Sequence, residues 1–131
     1  MADHVCCDRT RDWVSDARSY ALAWGLPTAA LVVTAFAPPP LRTLAWVLSL
    51  VWMGAACLAN ARRCGRTHCH LTGPFFLLMA AATLSHGVGL LPLGADGWIW
   101  LAAALAGGTA LLWFGSEALL GQYLHHRADR S

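Results

Sequence analysis

Charged side chains vanish from four long stretches of this chain, at positions 20–37, 43–61, 71–95 and 97–116. A helix needs roughly 20 apolar residues, within a range of about 17–25, to cross the ~30 Å core of a bilayer. All four stretches meet that length. Lipid offers no partner for an unpaired backbone group, so each stretch must be helical. The two-residue alternation of a membrane barrel is not visible. The pattern therefore predicts an all-α membrane protein with four transmembrane helices, at about 20–37, 41–61, 74–93 and 98–120, arranged as two helical hairpins. Pro38, Pro39 and Pro40 end the first helix and force a tight connection. Thr72 is expected to cap the third helix, with Pro74 in its first turn. Gly94 to Gly97 reads as a short turn. An amino-terminal segment (1–19), a polar loop (62–73) and a tail (121–131) lie outside the apolar rods.

Composition agrees with this division. The chain is 57% hydrophobic and 12% charged, with a mean hydropathy of +0.50. Ordinary soluble domains carry about 25% charged residues. The net charge is +2 and implies no nucleic-acid partner. The basic residues are all arginines, and their positions predict orientation. With the amino terminus in the cytoplasm, Arg9, Arg11, Arg18, Arg62, Arg63, Arg66, Arg127 and Arg130 lie inside and only Arg42 lies outside. Both termini and the 62–73 loop are then cytoplasmic in a multi-pass inner-membrane protein. The first nineteen residues are charged and lack an early apolar run, so the first helix is expected to act as an uncleaved anchor. Trp98 and Trp100 fall at the outer interface, and Trp13 at the inner one. Small residues at four-residue spacing (Ala21, Gly25 and Ala29; Ala81, Ser85 and Gly89; Ala104 and Gly108) mark faces suited to close helix packing in lipid.

The least generic feature is the run from Cys57 to Pro74, CLANARRCGRTHCHLTGP. It holds Cys57, Cys64, Cys69, His68 and His70 on the expected cytoplasmic side, where Cys6, Cys7, His4, His125 and His126 also fall. Thiols in that compartment are normally kept reduced. Thiols beside imidazoles suit a soft or borderline metal ion: zinc, copper or mercury. Cys64 and Cys69 are the expected thiolate ligands, with His68 or His70 as imidazole ligand and Cys57 in reserve. The spacing is wider than the two-to-four-residue gap of familiar zinc sites. Arg62, Arg63 and Arg66 flank Cys64, and positive charge nearby lowers a thiol pKa. The same arginines could meet anionic lipid headgroups.

Three polar residues interrupt the apolar helices. His86 is expected about halfway along the third helix, where an ionisable group defaults to a functional reading. Thr83 and Ser85 are its local hydrogen-bond candidates. Glu117 lies near the inner end of the fourth helix, where it could pair with an arginine of the loop, complete a metal site, or snorkel to the interface. Asn60 could cap the second helix or orient the loop. No enzyme motif is complete: there is no phosphate-binding glycine loop and no HExxH. This leans away from an enzyme.

The stretch Asn60-Ala61-Arg62-Arg63-Cys64-Gly65-Arg66-Thr67-His68-Cys69-His70-Leu71-Thr72-Gly73-Pro74 resembles one found in small prokaryotic four-helix membrane proteins that carry no assigned activity. Clustered cysteines in so small a bundle also give a distant likeness to small mercury transporters. Their intramembrane cysteine pair has no counterpart here, because Cys6 and Cys7 precede the first helix. The leading expectation is an integral membrane protein that binds or transports a soft metal ion through this loop. The alternatives are an accessory or assembly subunit of a larger membrane complex, and a thiol-based redox sensor or enzyme. Four short helices enclose little space, so a conduction path calls for a homo-oligomer.

Overall fold

The computed structural model describes residues 12–121, and among these every regular element is helical. The chain enters through a turn in which the Ser15 amide donates to the Asp12 carbonyl at 3.1 Å. Asp16 then caps the first helix by accepting from the Ser19 amide at 2.9 Å. Helix α1 (Ala17–Tyr20) runs without a break through a π-helical stretch, Ala21–Gly25, into α2 (Leu26–Thr34). Such a widened turn re-aims side chains, and here it carries the buried Trp24. The rod stops three residues short of the expected Ala37. Pro38 adopts an extended backbone, and Pro39 and Pro40 form the first turn of α3 (Pro39–Cys64), where their missing amide hydrogens cost nothing. Helix α3 ends on Gly65, which takes the left-handed conformation (φ 62°) that a side chain would resist.

The segment 62–73, expected as a loop, is helical except at Gly65 and Arg66. Helix α4 (Thr67–Gly87) begins seven residues before Pro74 and ends six before the expected Leu93. Thr72 is therefore not a cap. It lies inside the helix, and its hydroxyl donates to the His68 carbonyl one turn back at 2.9 Å. His86 falls in the last turn of α4, not at its midpoint. Helix α5 (Gly97–Leu120) closes the described chain.

Helices α3 and α4 form the central seam, with α2 packed on α3 and α5 packed on α4. Residue numbers rise along α3 as they fall along α4: a Cβ added at Gly87 would strike Thr43, and one added at Gly54 would lie 3.1 Å from the Gly73 carbonyl oxygen. The close approach thus uses Gly54 and Gly73, outside the predicted small-residue faces. Of those faces, Gly108 does serve, by admitting the Phe75 ring.

Apolar side chains cover the outside. Phe36, Val33, Leu90, Leu111, Phe114 and Leu119 are each more than 70% exposed. Two helices, α3 and α5, are long and apolar enough to cross a membrane by length and composition; the apolar window of α5 is only 11% buried. Between α2 and α5 lies an apolar groove of about 700 Å³. Most of the buried polar residues, by contrast, gather at one end of the α3–α4 seam.

Candidate functional site

That polar end is built from the Gly65 break. Because α3 stops and α4 restarts within two residues, Asn60, Arg66, Thr67, His68, Cys69 and Thr72 all face inward, and each is at most 8% exposed. Positions 68 and 72 share a helix face, whereas position 70 is turned about 200° away from 68. His70 is accordingly exposed.

The centre is a pair of thiols. Cys57 of α3 and Cys69 of α4 are 1% and 0% exposed and belong to one buried cluster. The Trp24 indole N–H donates to Cys57 Sγ at 3.2 Å, and Thr72 Oγ1 lies 3.4 Å from the same sulfur. The Asn60 amide donates to Cys69 Sγ at 3.5 Å. His68 Nε2 sits 3.3 Å from Cys69 Sγ. On the other side of the ring, His68 Nδ1 is 2.6 Å from Glu117 Oε1. A carboxylate only accepts, so Nδ1 carries the hydrogen and the neutral ring turns its Nε2 lone pair toward the thiol. The Trp113 indole stacks on the imidazole, with centroids 4.0 Å apart and planes 11° apart, and fixes the ring.

An ionic layer closes the site. Arg66 donates through Nη1 to Asp12 Oδ2 at 2.5 Å and through Nε to Glu117 Oε1 at 3.0 Å. Asn60 donates to Asp12 Oδ1 at 2.9 Å and accepts from the Trp13 amide at 3.0 Å. The Arg63 guanidinium covers the Trp13 ring at 4.9 Å. Glu117 thus takes the pairing role rather than snorkelling. Burial pushes the Asp12 carboxyl up, but the hydrogen bonds from Asn60 and Arg66 outweigh it and hold the group below its ordinary range. Burial pushes His68 down from its ordinary value, against the pull of Glu117.

Both directions have the same consequence for stability. A group whose folded pKa is depressed contributes stability above its unfolded pKa and loses it as pH falls toward the folded value. Stability in detergent, followed by tryptophan fluorescence, is therefore expected to be highest at neutral pH. It should fall in two steps, the first below about 6.5 from His68 and the second below about 3.9 from Asp12. His68→Gln removes the upper step and Asp12→Asn the lower one. A profile flat from pH 7 to 3 contradicts both assignments.

Of the expected ligands, Cys69 and His68 touch, and Cys57 lies on the facing helix against Thr72. Cys64 is buried in the last turn of α3, seven residues beyond Cys57. That is a rise of about 10 Å, too far for both sulfurs to bind one ion at about 2.3 Å each. Cys6, Cys7, His4, His125 and His126 lie outside the described residues. His86 belongs to a separate cluster near the start of α5: its Nδ1 is 3.0 Å from the Leu91 carbonyl oxygen, and Trp98 meets its ring edge-on beneath the Arg42 guanidinium. Thr83 and Ser85 are not its partners there. Sequence reasoning missed Asp12, Trp24 and Trp113.

Among the described residues, no group of three or more His, Cys, Asp and Glu side chains already stands in metal-holding positions. The donor chemistry nonetheless suits a soft ion: two sulfurs and one imidazole nitrogen, with the far nitrogen held by a carboxylate. No protein family, curated protein or solved structure matches the chain.

Proposed function

We propose that this chain is an integral membrane protein that binds a soft metal ion between Cys57, Cys69 and His68 at its cytoplasmic end. The observation that carries the reading is the Cys69 thiol set 3.3 Å from the Nε2 of an imidazole whose other nitrogen is pinned by Glu117, with the Cys57 thiol buried in the same cluster on the facing helix. A carboxylate behind a histidine fixes its tautomer and raises its basicity, which is the usual support of a metal-binding imidazole. A bound ion would take the place of the contacts that Trp24, Thr72 and Asn60 now make to the two sulfurs. The ligand set differs from the expected one, with Cys57 essential and Cys64 and His70 dispensable.

The membrane reading rests on the exposed apolar side chains and on the two long apolar helices. A water-soluble protein of this size would not leave so much contiguous apolar surface uncovered. Four crossings, one for each charge-free stretch, in two helical hairpins, follow from the pattern of charge. The distribution of arginines supports an inner-membrane location with both termini inside. The buried ionic layer then lies at the cytoplasmic boundary, where water and headgroups are near.

Metal analysis of the detergent-purified chain tests the site, with zinc, copper(I) and mercury(II) offered separately under a phosphine reductant. The wild type and Cys64→Ser should each hold one ion per chain. Cys57→Ser, Cys69→Ser and His68→Ala should hold none, and Glu117→Gln should bind 10–100-fold more weakly. Wild-type protein that takes up none of the three ions overturns the reading.

A further inference from the structure

We infer that Cys57 and Cys69 are also a redox pair, closed by a peroxide into a disulfide that ties α3 to α4 and withdraws both sulfurs from metal binding. The disulfide stands on geometry alone. Only its effect on the metal rests on the function proposed above.

Three observations carry it. The Cys57 thiol of α3 lies 3.4 Å from the Thr72 hydroxyl of α4, one helical turn from Cys69. The two thiols sit on adjacent helices beside a close backbone approach: Cys57 is one turn from Gly54 and Cys69 one turn from Gly73, and a Cβ on Gly73 would lie 3.4 Å from the Gly54 carbonyl oxygen. A disulfide needs Cα atoms about 4.4–6.8 Å apart, a separation that helices in glycine contact can supply. Finally, sulfurs that are 0–1% exposed are shut off from bulky disulfides such as oxidised glutathione, which leaves a small uncharged molecule as the class of oxidant. Hydrogen peroxide belongs to that class.

The chemistry closes without another reactant. One sulfur attacks a peroxide oxygen, the O–O bond breaks, and water leaves behind a sulfenic acid. The second thiol attacks that sulfur, the S–S bond forms, and a second water departs. Two thiols and one hydrogen peroxide become one disulfide and two waters. The sulfurs lose two electrons to the peroxide oxygens, and both thiol protons end in water. Cys64, buried two helical turns from Cys57, is the internal comparison.

The decisive measurement uses the wild-type chain, reduced, free of added metal and held in detergent. It is treated with hydrogen peroxide, alkylated and digested, and its cross-linked peptides are mapped by mass spectrometry. The expected product is one Cys57–Cys69 link per chain, reopened by dithiothreitol, with Cys64 still alkylated. In a parallel sample loaded with zinc, the same treatment should release at least nine-tenths of the ion. Oxidation that stops at a sulfenic or sulfinic acid on either cysteine, or that links Cys64 instead, overturns the inference. If the reduced protein never binds zinc, copper(I) or mercury(II), the metal reading falls, and the cross-link map still decides the redox pair.

Discussion

Replacing Arg66 by methionine should destabilise the protein by about 3–5 kcal/mol, the range for removing one partner of a buried ion pair. Arg66 is 8% exposed and holds Asp12 and Glu117 at once. Methionine fills a similar volume, so the loss is electrostatic rather than a cavity. It leaves two carboxylates under the same cover with no guanidinium between them. Lysine should restore only part of the loss, because one ammonium cannot reproduce a fork that donates from Nη1 to one carboxylate and from Nε to another. The triple variant Arg66→Met, Asp12→Asn, Glu117→Gln should be more stable than Arg66→Met alone, since it removes the charges that the single change strands. Denaturant unfolding in detergent, read by tryptophan fluorescence, separates these cases. An Arg66→Met chain within about 1 kcal/mol of the wild type would show that the pairs are screened at an open surface.

The sequence pattern yielded the number and rough position of the helices because each charge-free stretch is longer than any loop of a compact protein. It yielded their ends poorly. A lack of charge limits what can lie in lipid but says nothing about where hydrogen bonding stops, so α4 was expected at Pro74 although it starts at Thr67. Arg62 to Gly73 looked like a loop because it is polar. It is nearly all helix because its polar side chains find partners 50 or so residues away: Asp12 for Arg66, Glu117 for His68 and for Arg66. No short-range pattern encodes those distances, which is why Asp12 does not stand out from the rest of the amino-terminal segment and Trp113 is one apolar residue among many. The split among candidate ligands was within reach. Once 67 onward is taken as helix, His68 and Thr72 fall on one face and His70 on the other. Cys57 and Cys64 likewise lie on one face of α3 but two turns apart, so only one of them can share an ion with Cys69. Glu117, the one acid in an otherwise uncharged helix, announced itself by composition.

Those long-range partners meet at Asn60, which makes it the second position of large effect. It is fully buried, donates to both Asp12 and Cys69, and accepts from the Trp13 amide. Asn60→Leu keeps the volume and removes every polar contact. The Trp13 N–H and one Asp12 oxygen then lie buried without that partner, at about 1–3 kcal/mol for each group, so the expected loss is roughly 2–5 kcal/mol. Asn60→Asp should be worse, because it faces Asp12 with a second carboxylate. Coupling distinguishes a network from a bystander. In a double-mutant cycle, Asn60→Ala and Asp12→Ala together should cost about 0.5–3 kcal/mol less than the sum of the two alone, because each strands the same partner. Asn60→Leu should also speed alkylation of Cys69, since it removes the amide that donates to that sulfur. Additive energies with unchanged Cys69 labelling would mean that Asn60 does not couple the ionic layer to the thiol pair, and that the two are separate devices.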